Sequence, residues 1–185
     1  AEHLPLAARW ACLLHDLGKA DTPADILPHH YGHEAKSAEH ARVVSERLRA
    51  PTECRDLAVM LAREHGILGQ ADVLRPETMV KVLERCDALR RPERFLLMLD
   101  AAAADFHGRG PTTDASEREW HAGGRWRAAV GAIRAVDAGA IARSCADKAQ
   151  IPTAVHGARI AAVRALARPQ PAPRDREGTA NEPSA

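Results

Sequence analysis

Histidine and aspartate are concentrated near the start of the sequence in a pattern that suits a divalent metal. Five of the chain's ten histidines lie between residues 13 and 40, and His15 is followed directly by Asp16. Imidazole nitrogen and carboxylate oxygen together bind Mn, Fe, Co, Ni, Zn or Mg with modest selectivity. Apolar residues precede this pair, and Lys19 follows it within reach of an anionic substrate. We therefore interpret His15 and Asp16 as metal ligands at the end of a buried helix, rather than as polar surface residues.

Three residues further along the chain are candidates to complete the site. His33 begins the next predicted helix, and His65 ends the one after it. Asp87 lies in the apolar stretch VLERCDAL, where burial of an unpaired carboxylate would be costly and a metal would remove that cost. The alternative for Asp87 is an ion pair with Arg90 or Arg91.

The other histidines of this region are weaker candidates. His29 and His30 follow Pro28 in a segment rich in turn residues, so we expect them to face solvent or to support the ligands from outside. His40 is seven residues after His33 and shares its helix face, but we do not assign it as a ligand. The sequence has no nucleophile elbow, no Walker A loop and no cysteine beside a histidine, so these catalytic arrangements find no support.

Helices must position these residues, because the composition favours an all-α fold. Aromatic residues make up only 3% of the chain, and alanine and leucine dominate over valine, isoleucine and tyrosine. Turn residues predict a loop over 21–32. The predicted helices span residues 4–17, 33–48, 52–66, 76–89, 92–105, 116–137, 140–149 and 152–167.

Charge is balanced over the whole chain but not along it. The net charge is only +1, which does not indicate a polyanion partner. Between Arg125 and Arg168, however, eight basic residues stand against two acids, Asp137 and Asp147. This stretch, called the basic segment below, either follows an RNA phosphate backbone or forms a solvated arginine-rich helix face. Residues 169–185 have no large apolar residue, which predicts a disordered tail.

The cysteines and the absence of long apolar runs predict a cytoplasmic protein. The four cysteines are far apart and include no Cys-x-x-Cys pair, which is typical of reduced thiols. No stretch approaches the roughly 20 apolar residues that cross a bilayer, and no leader peptide is evident. We expect no membrane partner.

Four motifs occur together in the sequence: HDLGK, HHYGHE, LAREHG and CDALRRPERF. In this order and spacing they resemble the HD superfamily of metal-dependent phosphohydrolases. More narrowly, residues 5–168 resemble the HD portion of the bacterial multifunctional CCA-adding enzymes, which are tRNA nucleotidyltransferases with an attached HD domain. The resemblance is most specific up to Leu99.

The resemblance implies an activity and a set of metal ligands. The activity is metal-dependent hydrolysis of 2′,3′-cyclic phosphodiesters, with 2′-nucleotidase and phosphatase action, on a tRNA 3′ end or a small phosphoester. The implied metal is a divalent ion, Ni, Mn or Mg. Its implied ligands are His15, Asp16, His33, His65 and Asp87.

The expected mechanism is Lewis-acid hydrolysis, in which the metal lowers the pKa of a water molecule and polarises a phosphoryl oxygen. Asp16 and His65 are the expected catalytic residues at the metal, and Lys19 would neutralise the charge that develops on the phosphate. His33 and His65 either complete a second metal position or orient the substrate.

The sequence departs from this family near its start. Only fourteen residues precede His15, whereas HD proteins usually supply a further histidine from a helix well before the pair, so we expect the metal to be held loosely. The metal-binding aspartates and the Gly-Ser phosphate site of the nucleotidyltransferase are absent, which excludes CCA addition by this chain alone. We expect a truncated HD domain over residues 1–106 and a basic helical region over 107–168, with the nucleotidyltransferase domain elsewhere in the parent protein.

Two other hypotheses remain open at this stage. One is a free-standing HD nucleotide phosphohydrolase. The other is a non-catalytic tRNA-binding appendage whose metal site is incomplete. The metal content of the purified chain would distinguish such an appendage from an active hydrolase.

Overall fold

Helices account for all the regular structure in the described part of the chain. The computed structural model describes residues 3–108 and 120–166, and within these ranges it contains eight α-helices, two short 3-10 helices and no strand. The all-α prediction is therefore confirmed. The α-helices are α1 (Leu6–Leu14), α2 (His33–Arg47), α3 (Thr52–Leu68), α4 (Pro76–Arg85), α5 (Pro92–Gly108), α6 (His121–Arg134), α7 (Ala138–Ser144) and α8 (Ile151–Arg164).

Small apolar residues allow α1, α2 and α3 to pack closely. Ala8 and Ala11 of α1, Ala41 of α2 and Ala58 of α3 are all fully buried. Their spacing places the alanines of each helix on one face, so the helix axes can approach without leaving voids. The result is a rigid frame around the residues predicted to bind metal.

Helices α6 and α8 belong to the same hydrophobic core as the earlier helices. Trp126 of α6 is fully buried, and its indole Nε1 donates a hydrogen bond of 2.8 Å to the carbonyl oxygen of Leu68 at the end of α3. Its ring meets the edge of Phe95 in α5, with 5.9 Å between the ring centroids. Ile133 of α6 and Val163 of α8 are buried in the same cluster. The described part of the predicted basic helical region is therefore packed onto the preceding helices.

Several predicted helix ends are displaced, and α4 shows the physical reason most clearly. The predicted helix over 76–89 ends at Arg85, because Asp87 has a left-handed backbone with φ 57°. Aspartate tolerates this conformation better than most residues do. Conversely, α3 continues to Leu68, so His65 lies inside the last turn of the helix and not at its end.

Ion pairs with acids of earlier helices involve at least three of the eight basic residues of the basic segment. Arg127 pairs with Asp100, and Arg164 pairs with Glu77. Arg159 lies 3.1 Å from Glu84 of α4. The acids therefore come from α4 and α5, and they hold the later helices against the earlier ones. These contacts favour the arginine-rich helix face over an RNA-binding surface as the interpretation of the segment.

Other expectations concern the thiols, membrane association and the tail. All four cysteines lie among the described residues, and all are free thiols. None of the described helices has the length and the apolar character that a membrane span requires. The predicted tail over 169–185 lies outside the described residues.

Candidate metal centre

Four segments of the chain meet at one end of the bundle and bring histidines and carboxylates together. His15 caps the end of α1, and Asp16 precedes a 3-10 helix over Leu17–Asp21. His33 is the first residue of α2, and His65 lies in the last turn of α3. Asp105 comes from the end of α5. The cluster therefore depends on the packing of α1, α2, α3 and α5.

Gly18 permits the close contact that places Asp16 beside His33. Its backbone N–H donates a buried hydrogen bond of 2.9 Å to Ser37 Oγ of α2. A Cβ at residue 18 would overlap the carbonyl oxygen of His33 and the backbone nitrogen of Ser37. Only glycine can occupy this position while the 3-10 helix stays in contact with α2.

The carboxylate of Asp16 lies at the centre of the cluster. Its Oδ1 is 3.3 Å from His33 Nε2 and 3.4 Å from His65 Nε2. Its Oδ2 is 3.3 Å from His15 Nε2 and accepts a hydrogen bond of 2.7 Å from Lys19 Nζ. His15 Nε2 also lies 3.4 Å from Asp105 Oδ1. One carboxylate thus contacts three imidazoles and one ammonium group.

The backbone fixes the orientation of all three imidazoles in the same way. Nδ1 of His15, His33 and His65 lies 2.8, 2.7 and 3.0 Å from the carbonyl oxygen of the residue three positions earlier. A carbonyl oxygen can only accept, so Nδ1 carries the proton in each ring. In a neutral ring, Nε2 then presents a lone pair to the cluster, as a metal-binding histidine requires.

The spacing of the ligand atoms fits a single metal ion. Asp16, His33 and His65 each offer one atom within 4.8 Å of the others. The two histidine Nε2 atoms are 3.2 Å apart. Ligands about 2.1 Å from an ion, at angles between about 90° and about 109°, are separated by about 3.0–3.4 Å. The observed separations lie in this range, so the three residues fit a divalent cation.

Charge is divided unequally among the groups of the cluster. Burial lowers the pKa of His15, but the carboxylates of Asp105 and Asp16 raise it more, to about 9. Burial raises the pKa of Asp16, but hydrogen bonds from His15 and Lys19 hold it well below its usual range. Burial also lowers the pKa of His65, even though Asp16 lies nearby. Without a metal, Asp16 is therefore anionic and His65 is a neutral ring.

A cleft of about 290 Å³ opens beside the cluster and gives a substrate access to it. Lys19, His33, His65 and Asp105 form its polar walls. A larger cavity of about 480 Å³ contains none of the cluster residues and is lined in part by arginine–carboxylate pairs such as Arg85 with Glu64. Of these two cavities, the smaller cleft is the one whose wall contains candidate metal ligands.

The structure brings together four of the five ligands implied by the sequence, and it places Asp87 elsewhere. The Asp87 carboxylate accepts a hydrogen bond of 2.8 Å from Arg90 Nε and lies 3.8 Å from Arg91. This is the alternative that the sequence left open for Asp87, and the metal assignment of this residue gains no support. The acid beside His15 is Asp105, which sequence reasoning missed. Its only signal was a carboxylate at the end of the alanine-rich stretch AAAADFHG.

The histidines of the loop and of α2 outside the cluster make other contacts. His29 stacks on Tyr31, and His40 Nε2 lies 2.7 Å from Asp21 Oδ2. His30 Nδ1 lies 2.7 Å from Thr22 Oγ1, its backbone carbonyl oxygen lies 2.7 Å from His33 Nδ1, and its ring is edge-on to the His33 ring with 6.3 Å between the centroids. His30 therefore supports the orientation of a candidate ligand from outside the cluster.

Comparison with known protein families identifies the family of this chain. The HD domain family matches residues 1–105, which is more than half of the sequence and includes every residue of the cluster. The chain belongs to the HD domain family. No solved structure matches the chain at a significant level.

Curated relatives match both the HD region and the helices after it. The multifunctional CCA protein of Aromatoleum aromaticum is 71% identical over 161 residues, which cover 87% of this chain and 39% of that protein. The multifunctional CCA protein of Azoarcus sp. is 69% identical over 170 residues, covering 90% and 40%. That of Cupriavidus necator is 49% identical over 162 residues. The chain spans about two fifths of the length of these relatives and corresponds to their HD portion, which confirms the resemblance found in the sequence.

Proposed function

We propose that this HD domain is a metal-dependent phosphohydrolase acting on 2′,3′-cyclic phosphodiesters and 2′-phosphates, either at a tRNA 3′ end or on small nucleotides. The observation that carries the proposal is the convergence of His33 Nε2, His65 Nε2 and Asp16 Oδ1 within 3.4 Å of one another. The nature of the phosphoester follows from the resemblance to multifunctional CCA-adding enzymes.

The donor set indicates which cations fit. Imidazole ligands favour transition metals, whereas Mg²⁺ prefers oxygen ligands. Two imidazoles and one carboxylate therefore favour Ni or Mn over Mg. A bound cation would supply Lewis-acid chemistry for the attack of water on phosphorus.

The side chains of this chain have separate roles around that chemistry. Asp16, His33 and His65 hold the cation, and their backbone hydrogen bonds keep the ligand atoms in place. Lys19 lines the cleft and carries a positive charge 2.7 Å from Asp16 Oδ2, so it can balance negative charge that develops on a phosphoryl oxygen. His15 lies between Asp16 and Asp105 and orients the Asp16 carboxylate.

The longer relatives support a place for this activity in tRNA maturation. Their name describes them as multifunctional CCA proteins, and the matched region is the part that carries the metal cluster. We place CCA addition in a nucleotidyltransferase domain outside the matched region. This favours an HD module of a larger enzyme over a free-standing hydrolase.

Turnover of 2′,3′-cyclic AMP by the purified chain tests the proposal. We expect hydrolysis that depends on added Ni or Mn, with metal content measured separately by elemental analysis. Asp16→Asn should lower both the metal content and the turnover, the latter by at least a hundredfold, because the carboxylate common to all the contacts is lost. Wild-type metal content and turnover in Asp16→Asn would contradict the assignment of this carboxylate. Bound metal with no turnover of any phosphoester would contradict the hydrolase.

A further inference from the structure

Aromatic side chains are scarce in this chain, yet two of them stand at the candidate active site. The sequence contains three Trp, two Phe and one Tyr. Phe106 and Trp120 line the cleft beside the metal cluster, and both are partly exposed. Of the other four, Phe95 and Trp126 lie in the core, Trp10 lies in a contact between α1 and α2, and Tyr31 lies on the surface loop.

The position of Trp120 depends on a glycine of α6. A Cβ at Gly123 would lie 2.6 Å from Cε3 of the indole ring, so the ring rests on the backbone of the helix. No such contact would arise at the neighbouring Gly124, where an added Cβ would meet nothing within 4 Å. The ring is thus held at the border of the cleft by packing against the backbone of α6 and against the hydrophobic core.

The rest of the cleft leaves room for a flat group. Gly66 of α3 and Gly69, which follows the helix, line it without side chains, and an added Cβ at Gly69 would meet nothing within 4 Å. Glu34 lines the cleft as well and offers carboxylate oxygens that can accept hydrogen bonds. At about 290 Å³ the cleft is near the lower end of the range for small-molecule sites.

From this arrangement we infer that Trp120 and Phe106 form a stacking site for the nucleobase of the substrate, next to the position of its phosphate at Lys19 and the metal cluster. Aromatic side chains bind unpaired bases by stacking on their faces, without selecting one base strongly. Glu34 would accept a hydrogen bond from a ribose hydroxyl or a base amino group. The position of the phosphate rests on the proposed function, whereas binding of the base does not.

Two cyclic substrates, one with a base and one without, test the inference by kinetics. The wild-type chain should have a higher kcat/KM for 2′,3′-cyclic AMP than for glycerol 1,2-cyclic phosphate. Trp120→Ala should lower the ratio of these two values about tenfold, chiefly through a higher KM for the nucleotide, since stacking on one ring is worth about that much. Trp120→Phe should keep most of the ratio, and Trp10→Phe should leave it unchanged because Trp10 lies outside the cleft and bonds to Ser45. An unchanged ratio in Trp120→Ala would overturn the inference while leaving the hydrolase intact.

Tryptophan fluorescence supplies a second measurement that needs no turnover. Adenosine 2′-monophosphate should quench the emission of the wild-type chain and of Trp10→Phe, but not that of Trp120→Phe. The Trp120→Phe variant also keeps the inference testable if Trp120→Ala fails to fold. Quenching without hydrolysis would refute the proposed function and leave the base site standing. Equal quenching in Trp120→Phe and in the wild type would overturn the base site.

Discussion

Substitution of Gly18 by alanine should damage both the stability of the chain and its metal site. The new Cβ would overlap two backbone atoms, the His33 carbonyl oxygen and the Ser37 nitrogen, and would also press on Lys36. Backbone atoms of a packed helix cannot move aside individually, so the 3-10 helix must shift away from α2. Overpacking of this kind costs typically about 1–3 kcal/mol. For a chain of this size, this corresponds to a melting temperature lower by roughly 2–12 °C.

The same shift would carry Asp16 away from His33, so the affinity for metal should also fall. Changes that disturb the orientation of ligands typically cost about 10–100-fold in affinity. Thermal unfolding without metal measures the change in melting temperature, and calorimetric titration with Ni or Mn measures the change in metal affinity. Gly131→Ala is the matched control, because residue 131 is exposed on α6 and an added Cβ there meets nothing within 4 Å. It should be neutral or stabilise the helix by about 0.5–1 kcal/mol. If Gly18→Ala matches this control in stability and metal affinity, the close contact described here does not position the site.

Four further substitutions test the candidate site, its surroundings and the core. His65→Ala should lower metal affinity at least tenfold, whereas His29→Ala should change it less than twofold because His29 stacks on a surface tyrosine; equal losses in calorimetry would refute the distinction. Asp87→Asn should leave the metal content of the purified chain unchanged, because Arg90 already binds that carboxylate; a loss of metal would restore Asp87 as a ligand. Trp126→Phe should lower the free energy of unfolding by about 1–3 kcal/mol, since it leaves a buried carbonyl without its hydrogen bond. Urea denaturation measures this, and an unchanged midpoint would mean that α6 adds little to the core.

The positions of His15 and His33 could be predicted from the sequence because both lie at recognisable helix boundaries. His15 comes just after the apolar α1, and His33 follows a loop rich in turn residues and starts α2. Local signals of this kind depend on neighbours in the sequence, so they are visible without a structure. Helix boundaries and apolar context made three further residues candidates to complete the site, and the resemblance joined all five residues into one set of implied ligands.

The choice between Asp87 and Asp105 could not be made from the sequence. Both carboxylates stand in or beside apolar stretches, and the cost of burial applies equally to each until the fold is known. The left-handed backbone at Asp87 ends α4 early and turns its carboxylate toward Arg90. Asp105 reaches His15 only because α5 packs against α1, which is a tertiary contact between distant residues.

The role of the basic segment could not be predicted from the sequence for a similar reason. Its eight basic residues suggested a nucleic-acid surface as long as only the segment itself was considered. The acids that pair with three of them are contributed by α4 and α5, far away in the sequence. A local excess of positive charge in the sequence therefore does not by itself define the charge of the folded surface.

The three candidate ligands lie on separate segments, with Asp16, His33 and His65 joined only through the fold. An ion bound by all three would act as a cross-link, tying the ends of α1, α2 and α3 together. The unfolded chain cannot hold the ion in the same way, so each increase in free metal should favour the folded state, by about 2.7 kcal/mol at a concentration one hundred times the dissociation constant. The lifetime of this domain against proteases would then follow the supply of metal in its surroundings.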